Sequence, residues 1–283
     1  MKLNHLIILI FSTSFCFGQT KNYCEWTGCN LSADNSAHFD PYYNGHLCEN
    51  FDPKQSDFSQ EYLELQTKRI SEVATEVTEE ISDYNFVLDS LFNTYNKQQN
   101  GIIGLDNRRI RIHISKTEVD KKNKLTFLIY GKSNVKGNIC DFKGKLKILK
   151  VFEVKEGYDF NGQGELFAKY EFFEDKNQNH VGSFKGTFDC AIKINHTTKS
   201  IKLDESFAIA DGYYNRTYVG TWKSYKSGKV KKCIWGDYRL PFTFDLDCGD
   251  GEMHICEKYE KNGWTSFNDG TEFRTLIRWW NKK

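Results

Sequence analysis

The sequence predicts a mainly β protein with an N-terminal helical segment, its strands forming an up-and-down antiparallel meander of about eight that closes into a barrel. Three observations predict it. Apolar and polar residues alternate in successive short runs between residues 106 and 235, the period of a half-buried strand. The links between runs are short and rich in Gly, Asn and Asp, which favours antiparallel hairpins over crossover helices. The one long stretch with helical spacing lies before them, over residues 58–98. Closing the meander removes both exposed edges; a two-layer β-sandwich is the alternative.

In chain order, the helical stretch comes first. Leu63, Ile70, Val77, Tyr84 and Leu91 recur every seven residues, and Thr67, Ala74, Ile81, Leu88 and Tyr95 follow four residues after each. Both rows share one face of a helix. Asp57 and Gln60 suit a capping box, Glu61, Lys68, Glu72, Glu76 and Glu79 take the opposite face, and Ser82-Asp83 marks a kink or a second helix. Thr67 and Ala74 are weak seam residues, so packing on the chain's own domain is favoured over a coiled coil between chains.

The strand runs follow: Ile110, Ile112 and Ile114; Leu125, Phe127 and Ile129; Phe142, Leu146 and Ile148; Leu166, Ala168, Tyr170 and Phe172. Then come Phe184, Phe188, Cys190, Ile192 and Ile194; Ile201, Leu203, Phe207 and Ile209; Tyr218, Gly220 and Trp222; Val230 and Ile234. Turn residues separate them at Asn161-Gly162, Asp175 to Asn179, Asn195 to Lys199, Asp211-Gly212 and Ser227-Gly228. Asp175, Asn177 and Asn179 echo a calcium loop, but His180 stands where Gly is needed, so a hairpin turn is the better reading.

Val219-Gly220-Thr221-Trp222, and more loosely Lys185-Gly186-Thr187-Phe188, resemble the Gly-x-Trp strand signature of calycin barrels such as lipocalins and avidins. The resemblance implies an eight-stranded meander around a small-ligand cavity. In that family the motif stands on the first strand; here it falls on the seventh run. A strand glycine also lets a neighbouring aromatic approach closely in any small barrel.

Across 283 residues, 39 Lys+Arg stand against 38 Asp+Glu, so no global field gathers nucleic acid. Residues 1–18 have Lys2, an apolar run from Leu6 to Phe11, and small residues at Ser12, Ser14 and Gly18. This reads as a secretory signal peptide, and its Phe-Gly-Gln ending resembles export signals of the Bacteroidetes. Phe15 before Cys16 argues against a lipoprotein. The expectation is a bacterial protein, periplasmic or secreted, with no transmembrane helix.

Of nine cysteines, Cys16 leaves with the signal. The remaining eight, Cys24, Cys29, Cys48, Cys140, Cys190, Cys233, Cys248 and Cys256, are an even set in an exported chain and are expected to form disulfides. A zinc site of Cys24, Cys29 and Cys48 with His38 or His46 competes, without the paired CxxC spacing that would support it. Residues 19–57 show no period and read as an irregular segment tied down by such bonds.

Residues 236–283 read as an acidic, cysteine-bearing loop and a short helix, in which Phe273, Leu276, Ile277 and Trp280 have helical spacing. Asp237, Asp245, Asp247, Asp250 and Glu252 gather near Arg239 and His254. Asp245, Asp247, Asp250 and Glu252 are the candidate metal ligands, since carboxylates on a Gly-turned loop suit calcium, although the EF-hand register fails. No other cofactor is expected. Carboxylates beside a His also suit acid–base hydrolysis. The plainest reading is a polar loop clamped by Cys248 and Cys256, with Arg239 paired to one Asp. Lys223, Lys226, Lys229, Lys231 and Lys232 crowd one hairpin as a solvated rim or a contact for an anionic surface.

No Gly-x-Ser-x-Gly elbow, phosphate-binding Gly loop or His-Glu-x-x-His pair occurs, so the reading leans away from an enzyme. The leading expectation is an exported, disulfide-stabilised barrel binding a small apolar or amphipathic ligand. Tyr170, Phe184, Phe188, Phe207, Tyr218 and Trp222 would line the cavity or fill it. The alternatives are a secreted hydrolase or calcium-dependent binder using residues 237–254, and an envelope structural or interaction protein.

Overall fold

The structure, a computed structural model, describes residues 58–94, 97–154, 163–210, 213–243, 245–249, 251–272 and 278–281. The signal-like residues 1–18, the segment 19–57 with Cys24, Cys29 and Cys48, and Asp250, Phe273, Leu276 and Ile277 lie outside the described residues.

Eight strands form a ring. They are β3 (Gln99–Ile103), β4 (Arg108–Asp120), β5 (Asn123–Val135), β6 (Asn138–Val154), β7 (Gln163–Glu174), β8 (Gly182–Asn195), β10 (Tyr214–Ser224) and β11 (Val230–Tyr238). Each pairs antiparallel with the next, and β11 pairs back onto β3. The strands are not spaced evenly round an axis. Their local grammar is simple. Apolar side chains alternate inward, and tight turns join β4 to β5, β5 to β6 and β7 to β8. Between β5 and β6, Lys136 and Gly137 both take positive φ (54° and 86°), the requirement of a two-residue hairpin turn. At Asp175 a carboxylate oxygen accepts from the Asn177 backbone N–H at 3.0 Å, so the Asp175–Asn179 run is the turn between β7 and β8.

Three short strands extend the sheet beyond the ring. β9 (Ser200–Leu203) pairs with the far half of β8, β2 (Asn85–Phe86) lies parallel to β9, and β1 (Ala74–Glu76) adds to β6. The run at 201–209 is therefore not a stave. It pairs for four residues and then turns outward, leaving Ile209 at the surface. The eighth stave is β3, which starts before the expected barrel boundary of 106 and was hidden by its mixed Gln-Asn-Gly-Ile-Ile sequence.

The helical expectation for 58–98 needs a larger correction. Helix α1 covers only Phe58–Ser71. Val73, Thr75, Val77 and Thr78 follow, β-branched residues that prefer extended backbone. The backbone of 74–76 finds a sheet partner in β6. Residues 77–92, with the single turn α2 (Leu88–Leu91), then cross one end of the ring. Val77, Ile81, Phe86, Leu91 and Phe92 are buried in the barrel core, with Phe92 5.0 Å from Phe127 and 5.7 Å from Phe188 between ring centroids. The seven-residue recurrence reflects a plug, not one continuous helix. α1 itself (Phe58–Ser71) packs on the outer face of β7, β8 and β10, where Thr187 donates to the Ser59 carbonyl at 3.0 Å.

A second layer covers the outside of β3, β10 and β11. Leu240, Phe242, Leu246, Ile255 and Trp264 join Tyr62 of α1 over Ile102, Val219 and Ile234. This tail contains two single turns, α3 (Glu257–Tyr259) and α4 (Thr265–Asn268), bent at Gly263 where φ is 102°.

Gly220 shows why the Gly-Thr-Trp strand carries glycine. It faces Gly186 across β8 and Cys233 across β11. A Cβ there would lie 2.1 Å from the Lys185 carbonyl oxygen and 2.6 Å from the Tyr170 hydroxyl. Small residues on this row make room for Tyr170 and Trp235, whose centroids are 5.3 Å apart. Gly220→Ala is expected to destabilise the protein by about 2–3 kcal/mol, since neither backbone nor ring can yield cheaply; urea unfolding monitored by tryptophan fluorescence measures it.

Candidate ligand-binding site

The aromatic residues expected to line a ligand cavity separate into three groups. Tyr170, Phe184, Phe188 and Tyr218 do point into the barrel and are fully enclosed. They pack ring to ring: Tyr218 stacks on Trp235 at 4.7 Å, Phe188 lies 4.5 Å from Tyr218, and Phe184 lies 5.6 Å from Trp235. Such spacings are direct aromatic contacts, so these rings fill their part of the barrel and leave no ligand-sized room between them. Trp222 stands half-buried at the rim. Phe207 is outside the ring and 55% exposed, a consequence of the turn after β9.

At the rim, Glu174 receives the Ser133 hydroxyl at 2.5 Å, the Gly182 backbone N–H at 2.8 Å and the Trp222 indole N–H at 2.9 Å. Burial pushes its carboxyl above the ordinary range, and the three donors oppose that shift.

A concavity lies on the outer wall, against β4–β7, with a volume of about 1310 Å³. The register builds it. Lys116, Tyr130, Lys143 and Phe173 occupy one outward row across four strands. Leu128, Lys145 and Glu171 form the row beside it. Phe173 is 45% exposed, and the Lys116 ammonium sits 5.5 Å over the Tyr130 ring. Lys132 pairs with Asp141 at 2.9 Å and Lys145 with Asp120 at 2.7 Å. Lys143, between the two rings, forms no ion pair among the described residues.

The C-terminal tail supplies the far wall. The outward positions of β4 hold it in a ladder. Arg109 lies over Trp264 at 5.1 Å, Arg111 over Trp279 at 5.6 Å, and His113 stacks on Trp280 at 4.3 Å. Arg109 also pairs with Glu272 and donates to Asn100 at 2.7 Å. His113 donates from Nδ1 to the Lys97 carbonyl at 3.0 Å, and burial lowers its pKa, favouring the neutral ring against the indole. The polar face of β4 is therefore a binding surface for the chain's own tail, and Trp280 ends up lining the cleft.

The acidic loop is clamped rather than open. Arg239 pairs with Asp247, which also accepts the Gly249 and His254 backbone N–H groups at 2.9 Å. Asp245 accepts from Lys258 and from the Tyr259 hydroxyl at 2.7 Å. Asp237 holds Arg216 at 2.6 Å. Cys248 and Cys256 form a disulfide. Asp245, Asp247 and Glu252 converge on no shared position: among the described residues no three carboxylate, His or Cys groups gather to hold an ion. Of the residues expected for hydrolysis, Asp237, Asp245 and Asp247 are committed to ion pairs.

Three expected disulfide partners, Cys140, Cys190 and Cys233, are buried free thiols among the described residues. Cys190 and Cys233 point into the barrel core, where a thiol packs as a small apolar group and burial drives its pKa far up. The alternation that placed Cys190 on the apolar stripe was the relevant signal, and it outweighed the even count.

Tyr130 and Phe173 were not singled out in the sequence, and Trp280 was read there only as part of a short C-terminal helix. Phe173 had a usable signal, since two adjacent Phe residues on a strand cannot both face inward.

No family model matches the chain, and no curated protein or solved structure was found similar to it. The chemistry of the clefts therefore carries the functional reading.

Lys232, expected among a solvated lysine cluster, is enclosed beneath the tail and donates to the Phe242 carbonyl at 3.1 Å. Burial lowers its pKa from 10.5 to about 7. Between those values the unfolded chain holds the proton and the folded one does not, so stability rises with pH across that window. Wild-type melting temperature should climb between pH 7 and pH 10 relative to Lys232→Met, whose profile should be flatter and higher at pH 6; scanning calorimetry across this range tests it.

Proposed function

We propose that this chain is an exported, disulfide-bearing β-barrel that binds a small amphipathic anion on its outer wall. The observation that carries the reading is the outward row Tyr130–Lys143–Phe173 facing Trp280. Three aromatic faces offer apolar contact, and the ammonium between them offers a charge to an anionic head. An exposed Phe173 grouped with the half-buried Tyr130 and Trp280 gives the concavity an apolar patch among outward lysines, and such grouping marks binding surfaces.

The calycin resemblance of Val219-Gly220-Thr221-Trp222 implies a ligand inside the barrel. The ring-to-ring packing of Tyr170, Phe188, Tyr218 and Trp235 favours the outer wall instead. Export is supported by the signal-like residues 1–18 and by Cys248–Cys256, since disulfides persist mainly in oxidising compartments.

Laurate is a suitable probe, and calorimetric titration of the full chain measures it. Phe173→Ala and Lys143→Glu should each weaken binding about tenfold or more, the scale of one lost apolar or ionic contact. Phe188→Leu, in the core, should leave the affinity unchanged. Absence of laurate binding to the wild type, or equal binding by Phe173→Ala, would refute the outer-wall site.

A further inference from the structure

A second concavity, of about 470 Å³, opens on a different part of the wall, beside the C-terminal end of α1. Its floor is the outer face of β7 and β8. Glu165 and Asp189 stand diagonally there, because Glu165 is registered with Ala191 and Phe167 with Asp189. Asp189 is 3% exposed. Its Oδ1 has no hydrogen-bond partner among the described residues, and Tyr62 of α1 interacts with the carboxyl group. The walls are apolar and aromatic, from Ile70, Phe207, Tyr213 and Tyr214.

A buried carboxylate oxygen without a donor is costly. Placing a second carboxyl beside it adds repulsion. Neither arrangement helps folding, and both sit in a cleft rather than in a sealed core. Among the described residues Asp189 Oδ1 lacks a hydrogen-bond donor, and the charge that Arg69 brings from α1 acts on Glu165. The described residues bring no three ion ligands together, so the carboxyl groups do not form a metal cage. Carboxylates below aromatic walls match an ammonium group with an apolar body, since the rings attract the cation by their faces. We propose that the Glu165–Asp189 cleft is a binding site for a small organic ammonium ion, distinct from the outer-wall cleft of β4–β7.

Proton linkage follows from the surroundings. Arg69 and Tyr62 face the pair from α1, Asp204 stands at the end of β9, and Tyr213 leads into β10 with the Arg216–Asp237 pair near it. Desolvation raises both carboxyl groups, Glu165 to about 7 despite the opposing charge of Arg69, and Glu165 adds to the rise of Asp189. The pair thus holds protons in mildly acidic solution and gains negative charge at alkaline pH. An ammonium ligand would bind more tightly as pH rises, up to the ligand's own titration.

Benzylammonium and n-butylammonium serve as probes, titrated calorimetrically into the full chain at pH 5.5 and pH 8.5, with benzyl alcohol as the uncharged control. At least one ammonium should bind about tenfold more tightly at pH 8.5, the change expected per pH unit of a linked proton, and benzyl alcohol should not compete. Asp189→Asn and Glu165→Gln should each lose most of that affinity and its pH dependence. Both are near-isosteric and relieve buried charge, so their melting temperatures should equal or exceed wild type, which separates lost binding from lost folding. Phe173→Ala, in the outer-wall cleft, should bind the ammonium as wild type does. The proposal is overturned if neither ammonium binds the wild type at pH 8.5, if Asp189→Asn binds equally well, or if benzyl alcohol competes.

Discussion

The pairing of β11 with β3, from Cys233 opposite Ile103 to Gly236 opposite Asn100, joins the two ends of the meander. Every other feature of the molecule depends on that closure. Without it, β3 and β11 would each present a row of unpaired backbone groups. With it, the inner side chains have one enclosed volume to fill. Tyr170, Phe172, Phe184, Phe188, Tyr218 and Trp235 fill one part of it, and Phe86, Phe92 and their neighbours enter from the other end. The small row Gly186–Gly220–Cys233 is the counterpart of those large rings. A packed interior needs small residues facing large ones.

A filled barrel moves recognition outward. The wall is covered in two places, by α1 over β7, β8 and β10 and by the C-terminal tail over β3, β4 and β11. Each cover leaves a concavity along its edge. Trp280, held by His113, borders the cleft on β4–β7. Ile70, near the end of α1, borders the cleft that contains Glu165 and Asp189. The two clefts differ in chemistry: one offers partly exposed rings around a lysine, the other aromatic walls over a buried Asp and a half-buried Glu. The acidic loop belongs to neither. Its charges serve to fasten the tail, through Arg239–Asp247, Lys258–Asp245 and the Cys248–Cys256 bond.

Much of the barrel was legible before any coordinates. Strands with strict alternation, such as β4 at Ile110, Ile112 and Ile114 and β8 from Phe184 to Ile194, read correctly because one face meets the core and the other does not. β3 escaped because only two of its five residues are large and apolar. Residues 72–92 were misread because a plug and a helix can both bury one residue in three or four. The site was less legible. Asp189 sits between two core residues, Phe188 and Cys190, and in sequence it resembles any outward strand carboxylate. Only the helix laid over it makes it buried.

The sequence alone determined the β class, the antiparallel order and the inward stripe, because alternation and turn chemistry act over a few neighbouring residues. It also identified Cys248, Cys256 and Arg239 as a clamp, since those groups lie close along the chain. Closure through β3, the filling of the interior, the three free thiols and the placement of Glu165 beside Asp189 were decided only in three dimensions. Each depends on residues far apart in sequence meeting across the ring. Whether an outward side chain meets water, a helix or a tail is set by what packs over it, and no local pattern carries that information.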